Sequence, residues 1–358
     1  MTEQHMYDWA LLYWMPYDNN LSDLGTPIID MITQGVVSDN LLVAIASDFS
    51  NIEPLSRRVI THHKNNIQKL KSFNSASEQV VAEYLDWAQT NISAKKWAVI
   101  LLGHGGRLNE ISPDEHPGLK SSSVEWMNIQ KLSRVIANFN QKIGDRVELV
   151  FFQNCNKGTL EAHYTFRDTA KYTLSSQMTL GAPNYYYESL LKFLGKNPNI
   201  NGAQLAEKIM DFERLDMYHT LTVTNNRYIA ALGPKINALI DSILLANVSA
   251  VQLNRLTTYS YMGDKLVDVI EFFHTLTRQS GADLQLYNEL IEFLIRSVIH
   301  RVKRGGELLS PTARAKYQDL SGLGLFLPTT QQQIKQYQDL IIFSDNKLSA
   351  LFSAILST

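Results

Sequence analysis

Two reactive side chains stand at matching places in the chain. Cys155, the only cysteine, follows the apolar run Val147-Glu148-Leu149-Val150-Phe151-Phe152 after two residues, Gln153 and Asn154. His104 follows a second apolar run, Trp97-Ala98-Val99-Ile100-Leu101-Leu102, after one residue, Gly103, and precedes Gly105 and Gly106. A thiolate is a strong nucleophile, and an imidazole within reach can take up the thiol proton. Attack on a carbonyl carbon then needs backbone donors for the oxyanion, and glycines let the backbone come close. The amides of Gly105 and Cys155 are the candidates for that task. The pattern makes the chain a candidate cysteine hydrolase.

Such a pair works only if two strands deliver both groups to one place. The runs before His104 and Cys155 read as buried strands, as do Trp9 to Met15 and Leu41 to Ala46. Between them lie amphipathic segments with helical spacing: one after Asp18-Asn19-Asn20-Leu21, one over 75–88 and one over 124–139. This alternation predicts a three-layer α/β/α sandwich around a mostly parallel sheet, whose sites form at the carboxyl ends of the strands. Residues 107–123 carry prolines, a glycine and several serines, and read as an exposed loop. The expected division is a core over 1–200 and a mostly helical subdomain over 201–358. Within the latter, 234–256 and 283–304 read as helices, and 321–328 reads as a late strand rejoining the sheet.

The composition excludes several function classes. The 358 residues carry 33 basic and 35 acidic side chains, a formal charge of −2, which calls for neither nucleic acid nor an anionic membrane as partner. A single cysteine excludes internal disulfides and cysteine-based zinc sites. The apolar runs read as too short to cross a bilayer. The first residues lack a basic segment followed by an apolar stretch, so the expected location is the cytoplasm, or export without a classical signal peptide. There is no G-x-S-x-G elbow, no phosphate-binding glycine loop and no EF-hand pattern. No cofactor and no metal site are expected. His62 and His63, read as strand neighbours, should point to opposite faces, and the pair reads as surface rather than as a metal site. His163, eight positions past Cys155, reads as a helix residue away from the site. A peptide or protein is the expected partner, and the oligomeric state stays open.

A hydrophobic block ending in His-Gly, then a second one two residues before Cys, resembles the caspase-like clan of cysteine peptidases. Within it the chain is similar to the clostripain family. The likeness rests on Tyr13-Trp14-Met15-Pro16-Tyr17-Asp18-Asn19-Asn20-Leu21, on Glu161-Ala162-His163-Tyr164 and on Gly322-Leu323-Gly324-Leu325-Phe326-Leu327-Pro328. The resemblance implies a caspase-like fold and peptide-bond hydrolysis through an acyl-thioester. It implies His104 as acid and base, Cys155 as nucleophile, and Gly105 and Cys155 as oxyanion donors. It points to Gln153, Ser176, Gln177 and Tyr185 as substrate-binding residues, and to Lys120 as a self-cleavage point. Where the family carries an aspartate for basic substrates, this chain has Gln153. A neutral amide cannot offset a buried ammonium or guanidinium, so the preference for Lys or Arg should be weakened. Two alternatives remain open: an impaired family member serving as an interaction protein, and a ligase or transpeptidase using the same thioester.

Overall fold

The computed structural model describes residues 5–49, 53–117, 123–307 and 319–357. In chain order the strands are β1 (Met6–Pro16), β2 (Leu41–Asp48), β3 (Ser56–Thr61), β4 (Lys64–Lys69), β5 (Ser93–Leu102), β6 (Glu110–Asp114) and β7 (Glu125–Asn128). Then follow β8 (Val147–Gln153), β9 (Ala170–Ser176), β10 (His219–Asn225), β11 (Thr258–Tyr261), β12 (Asp264–Asp268), β13 (Ile299–Gly305) and β14 (Gly324–Phe326). Nine of them form one sheet in the order β13-β10-β9-β8-β5-β1-β2-β3-β4. The five central strands, from β9 to β2, run parallel, and each edge adds two antiparallel strands. The sheet is therefore parallel at its centre and mixed as a whole.

The central strands are apolar without interruption because both faces of the sheet are covered. Every residue of β2 and β8 is buried, as is β1 from Trp9 onward. The helices α1 (Ser22–Gly35), α2 (Glu78–Asn91), α3 (Ile129–Ile143), α4 (Leu160–Thr165), α5 (Tyr187–Lys196) and α6 (Gly202–Phe212) supply the two outer layers. Alternate residues of β1 divide between two cores. Ala10, Leu12 and Trp14 pack with Val81 and Leu85 of α2 and with Leu132 and Ile136 of α3. Trp9, Leu11 and Tyr13 pack with Ile28 and Ile32 of α1, Leu190 of α5 and Leu205 of α6.

The second half of the chain departs from expectation. The boundary at residue 200 does not separate two bodies, because β10 and β13 complete the large sheet. After helices α7 (Asn226–Ile229), α8 (Leu232–Leu245) and α9 (Val269–Ser280) comes α10 (Leu284–Phe293), which ends in a π-helical turn, Leu294–Val298. Arg301, Lys303 and Arg304 then lie on β13, not on a helix end. The strand β10, alternating threonine with Leu221 and Val223, has a free edge that β13 fills. The late strand does not rejoin the large sheet. Gly324–Phe326 pairs with β12 in a separate sheet, β11-β12-β14, and touches the main body through the bridge Thr159–Gly324. The large sheet offers no place at that point, since β8 and β9 each already have two neighbours.

Two further expectations change. The stretch Asn226–Leu245 is long and apolar enough to cross a membrane by length and composition, contrary to the reading of short runs only. In the fold it forms α7 and α8 and buries Leu232, Ile236, Leu239, Ile240 and Ile243. His62 and His63 do not sit on a strand: they form the tight turn between β3 and β4. The alternation rule for strand neighbours does not reach a turn, and their rings stack at 4.4 Å.

Candidate active site

The parallel register of β5 and β8 places Leu102 opposite Gln153. Two residues farther along each chain stand His104 and Cys155. Neighbouring strands lie about 4.8 Å apart, so both side chains leave the sheet at the same height from adjacent tips. Asn154 locks the tips together. Its Nδ2 donates to the carbonyls of Gly103 (2.9 Å) and His104 (3.2 Å) and to Ser112 Oγ (3.3 Å). Glycine is required at position 105, because a Cβ there would lie 2.0 Å from the carbonyl oxygen of Cys155.

Gly105 also faces Ile111 in an antiparallel bridge. The flanking bonds run from Gly106 N to Glu110 O and from Ser112 N to His104 O. In that pattern the peptide groups of Gly105 itself point away from Ile111. Its carbonyl accepts from the Tyr261 hydroxyl at 3.0 Å. Tyr261 ends β11, so the small sheet reaches the site, and its hydroxyl also interacts with the Cys155 side chain.

His104 Nε2 lies 2.6 Å from Asn20 Oδ1. With that oxygen accepting, the ring hydrogen sits on Nε2 and Nδ1 keeps its lone pair. Partial burial lowers the His104 pKa below the ordinary imidazole value, with Glu115 acting against it. The ring is thereby biased toward its neutral, proton-accepting form. Cys155 Sγ points toward Leu180 O at 3.6 Å.

Behind Cys155 the interior is polar and closed. Lys157 is buried, and its Nζ donates to the carbonyls of Gly106 (3.1 Å), Arg107 and Leu108 (3.5 Å). It ties the loop after His104 to the loop after Cys155. Burial pulls its pKa down to about 7, while Asp264, Glu110 and Cys155 work in the other direction. Glu161 is also buried and accepts from Phe326 N at 2.8 Å, anchoring β14. Burial pushes its carboxyl up to about 7.

In front of Cys155 lies an open cavity of about 330 Å³. His104, Cys155 and Gln153 line it together with Tyr17, Leu21, Leu24, Leu180, Asn184 and Tyr218, and among the described residues no Asp, Glu, Lys or Arg lines it. Gln153 is held from both sides. Its Nε2 donates to Tyr187 Oη (2.5 Å), and its Oε1 accepts from Tyr186 (2.7 Å).

The other expected substrate-binding residues are elsewhere. Ser176 is fully buried, and its Oγ accepts from Thr220 N. Gln177 bridges Asp268 Oδ2 (2.9 Å) and Gly322 N (2.8 Å), joining the two sheets. Tyr185 lies under the Arg214 guanidinium outside the cavity lining. Ser176 ends β9 with its side chain turned into β10, Gln177 turns toward the small sheet, and the chain reaches the cavity only from Thr179 onward. His163 is buried away from the site between Thr224 Oγ1 (2.6 Å) and Ser175 Oγ (2.5 Å). Lys120 lies outside the described residues.

Sequence reading missed Asn20, Asn154, Lys157 and Tyr261. The Asp-Asn-Asn run carrying Asn20 was visible but fits helix capping equally well, and the other three had no local signal. Three buried carboxylates, Asp18, Asp48 and Asp114, also converge at this end of the sheet. Asp18 pairs with His116 Nδ1 at 3.2 Å, and Asp114 Oδ2 accepts from Ser75 N and Oγ. Burial raises the Asp18 carboxyl, with His116 opposing.

Comparison with known proteins gives a consistent picture. A profile of the Clostripain family matches residues 13–351. Clostripain from Hathewaya histolytica is 24% identical over 170 residues, which cover 43% of this chain and 30% of that protein. The match thus spans about a third of that relative's length. An inactive zymogen C11 protease from Parabacteroides distasonis superposes with a TM-score of 0.74 at 18% identity, over 95% of this chain and 98% of that one. A secreted C11 cysteine protease from Bacteroides thetaiotaomicron, solved with an irreversible peptide inhibitor, superposes at 0.70 with 15% identity, over 95% and 99%. These likenesses establish the caspase-like α/β fold.

Proposed function

The chain belongs to the clostripain family, and from that premise we propose that it is a cysteine endopeptidase working through Cys155 and His104. The observation that carries the reading is the register of β5 and β8, which brings both residues to one cavity. His104 Nδ1 takes the thiol proton, and the thiolate attacks the scissile carbonyl carbon. The amides of Gly105 and Cys155 receive the oxyanion, and Tyr261 holds the Gly105 peptide in place through its carbonyl. The imidazolium returns its proton to the leaving amine, and water then hydrolyses the acyl-thioester with His104 again as base.

The substrate side chain entering the cavity is neutral. A buried ammonium or guanidinium would find no carboxylate among the described lining residues, and an unpaired buried charge is costly. Gln153 offers only an amide already engaged by two tyrosine hydroxyls, and the apolar surface of Leu21, Leu24 and Leu180 suits an uncharged side chain. A panel of fluorogenic peptides differing in the residue before the cut tests both statements. Turnover that favours neutral residues and vanishes in Cys155→Ala supports them. Turnover that survives in Cys155→Ala refutes the enzyme reading, and a clear preference for Lys or Arg refutes the specificity reading.

A further inference from the structure

We propose that Asp39, His62 and His63 form a binding site for one divalent transition-metal ion, with zinc as the best geometric fit. Asp39 precedes β2, and the two histidines form the β3–β4 turn. His62 Nδ1 and His63 Nε2 stand 3.4 and 3.1 Å from the same oxygen, Asp39 Oδ1. The three ligand atoms all lie within 4.8 Å of one another.

Those separations carry the assignment. Zinc bonds to nitrogen and carboxylate oxygen of 2.0–2.1 Å make a tetrahedral edge of roughly 3.3 Å. A right-angle edge, as in square-planar copper or octahedral sites, is shorter, roughly 2.9 Å with the same bonds. The observed pair brackets the tetrahedral value. Two imidazoles and one carboxylate are a borderline-soft set that suits zinc and disfavours calcium and magnesium. All three side chains are exposed, so water completes the coordination. The set differs in this from the buried, all-oxygen group of Asp18, Asp48 and Asp114.

The backbone around the site is ordered by hydrogen bonds independent of any ion. His5 Nε2 bonds the Asp39 carbonyl at 2.8 Å, and the turn is closed by the β3–β4 ladder through Thr61 and Lys64. An ion here would join two segments, the loop before β2 and the edge hairpin. The place is the amino end of β2, and the eight residues of that strand separate it from the catalytic end by roughly 23 Å. The ion would staple the sheet edge and take no part in peptide hydrolysis.

Calorimetric titration of the full chain with zinc chloride tests the site, after alkylation of Cys155 so that the thiol cannot bind metal. The expected result is one zinc site that disappears in the double variant His62→Ala/His63→Ala. Asp39→Asn, which keeps the shape but loses the charge, should weaken binding at least about tenfold. Zinc should raise the thermal midpoint of the wild type and leave that of the double variant unmoved, while metal-free peptidase activity stays equal in both. No zinc uptake by the wild type, or the same stoichiometry in the double variant, overturns the proposal. These residues lie in two exposed turns outside both cores, so the variants fold.

Discussion

The two ends of the central sheet hold their functional groups in opposite ways. At the carboxyl end, Cys155 and His104 are fixed by Asn154 and Lys157, which flank Cys155 and reach across to the His104 segment, and by Asn20 and Tyr261 from distant parts of the chain. At the amino end, Asp39, His62 and His63 are presented by short exposed segments with little packed around them. The first arrangement orients groups before substrate arrives and tolerates little change. The second leaves its groups free to adjust to a ligand. The contrast teaches that precision around Cys155 and His104 comes from buried polar contacts, which are costly to break because each orphaned group has lost its water.

The largest expected effect comes from breaking that buried framework. Lys157→Met leaves the carbonyls of Gly106, Arg107 and Leu108 without their donor. A loss of about 3 kcal/mol in urea-unfolding free energy should follow, with a fall in kcat larger than any change in KM. If Lys157→Met costs no more than the turn variants at His62 and His63, the contrast between the two ends is wrong. An intermediate effect on stability is expected from acid. His163 is held neutral by burial, its pKa lowered to about 3. The unfolded state therefore takes up a proton that the folded state refuses, and stability present above the ordinary imidazole value of 6.5 is lost as pH falls toward 3. Glu161, pushed up to about 7, acts with the opposite sign, so comparison with His163→Gln isolates the imidazole. Between pH 7 and pH 5 the wild type should lose about 2 kcal/mol more than the variant; equal slopes would show that His163 is not held neutral. The smallest effect is one of selectivity. Gln153→Glu puts a carboxylate under the same two tyrosine hydroxyls, and kcat/KM for Lys and Arg substrates relative to neutral ones should rise about tenfold. An unchanged ratio would mean that position 153 does not face the substrate side chain.

Those residues also show what a sequence discloses. The strands bearing His104 and Cys155 were legible because a doubly covered strand is apolar from end to end and the reactive residue follows at once. The neutral character of the cavity was legible in Gln153 alone. Lys157 and Tyr261 were not, since their partners lie at Gly106 to Leu108 and at Gly105, and one-dimensional patterns carry no such pairing. Ser176 and Gln177 were misplaced because nearness to the end of β9 does not say which way the chain then turns. The helix read through 304 overran because Leu290, Leu294 and Val298 keep a helical spacing up to the π turn, where β10 captures the chain as β13. His62 and His63 were misread because a strand rule was carried two residues past the strand.

The most direct test of the paired thiol and imidazole is the rate at which iodoacetamide alkylates Cys155 at neutral pH, in the wild type and in His104→Ala. The account predicts a wild-type rate far above that of free cysteine, falling to near that of free cysteine in the variant. A wild-type rate no faster than free cysteine, or one indifferent to His104, would contradict it.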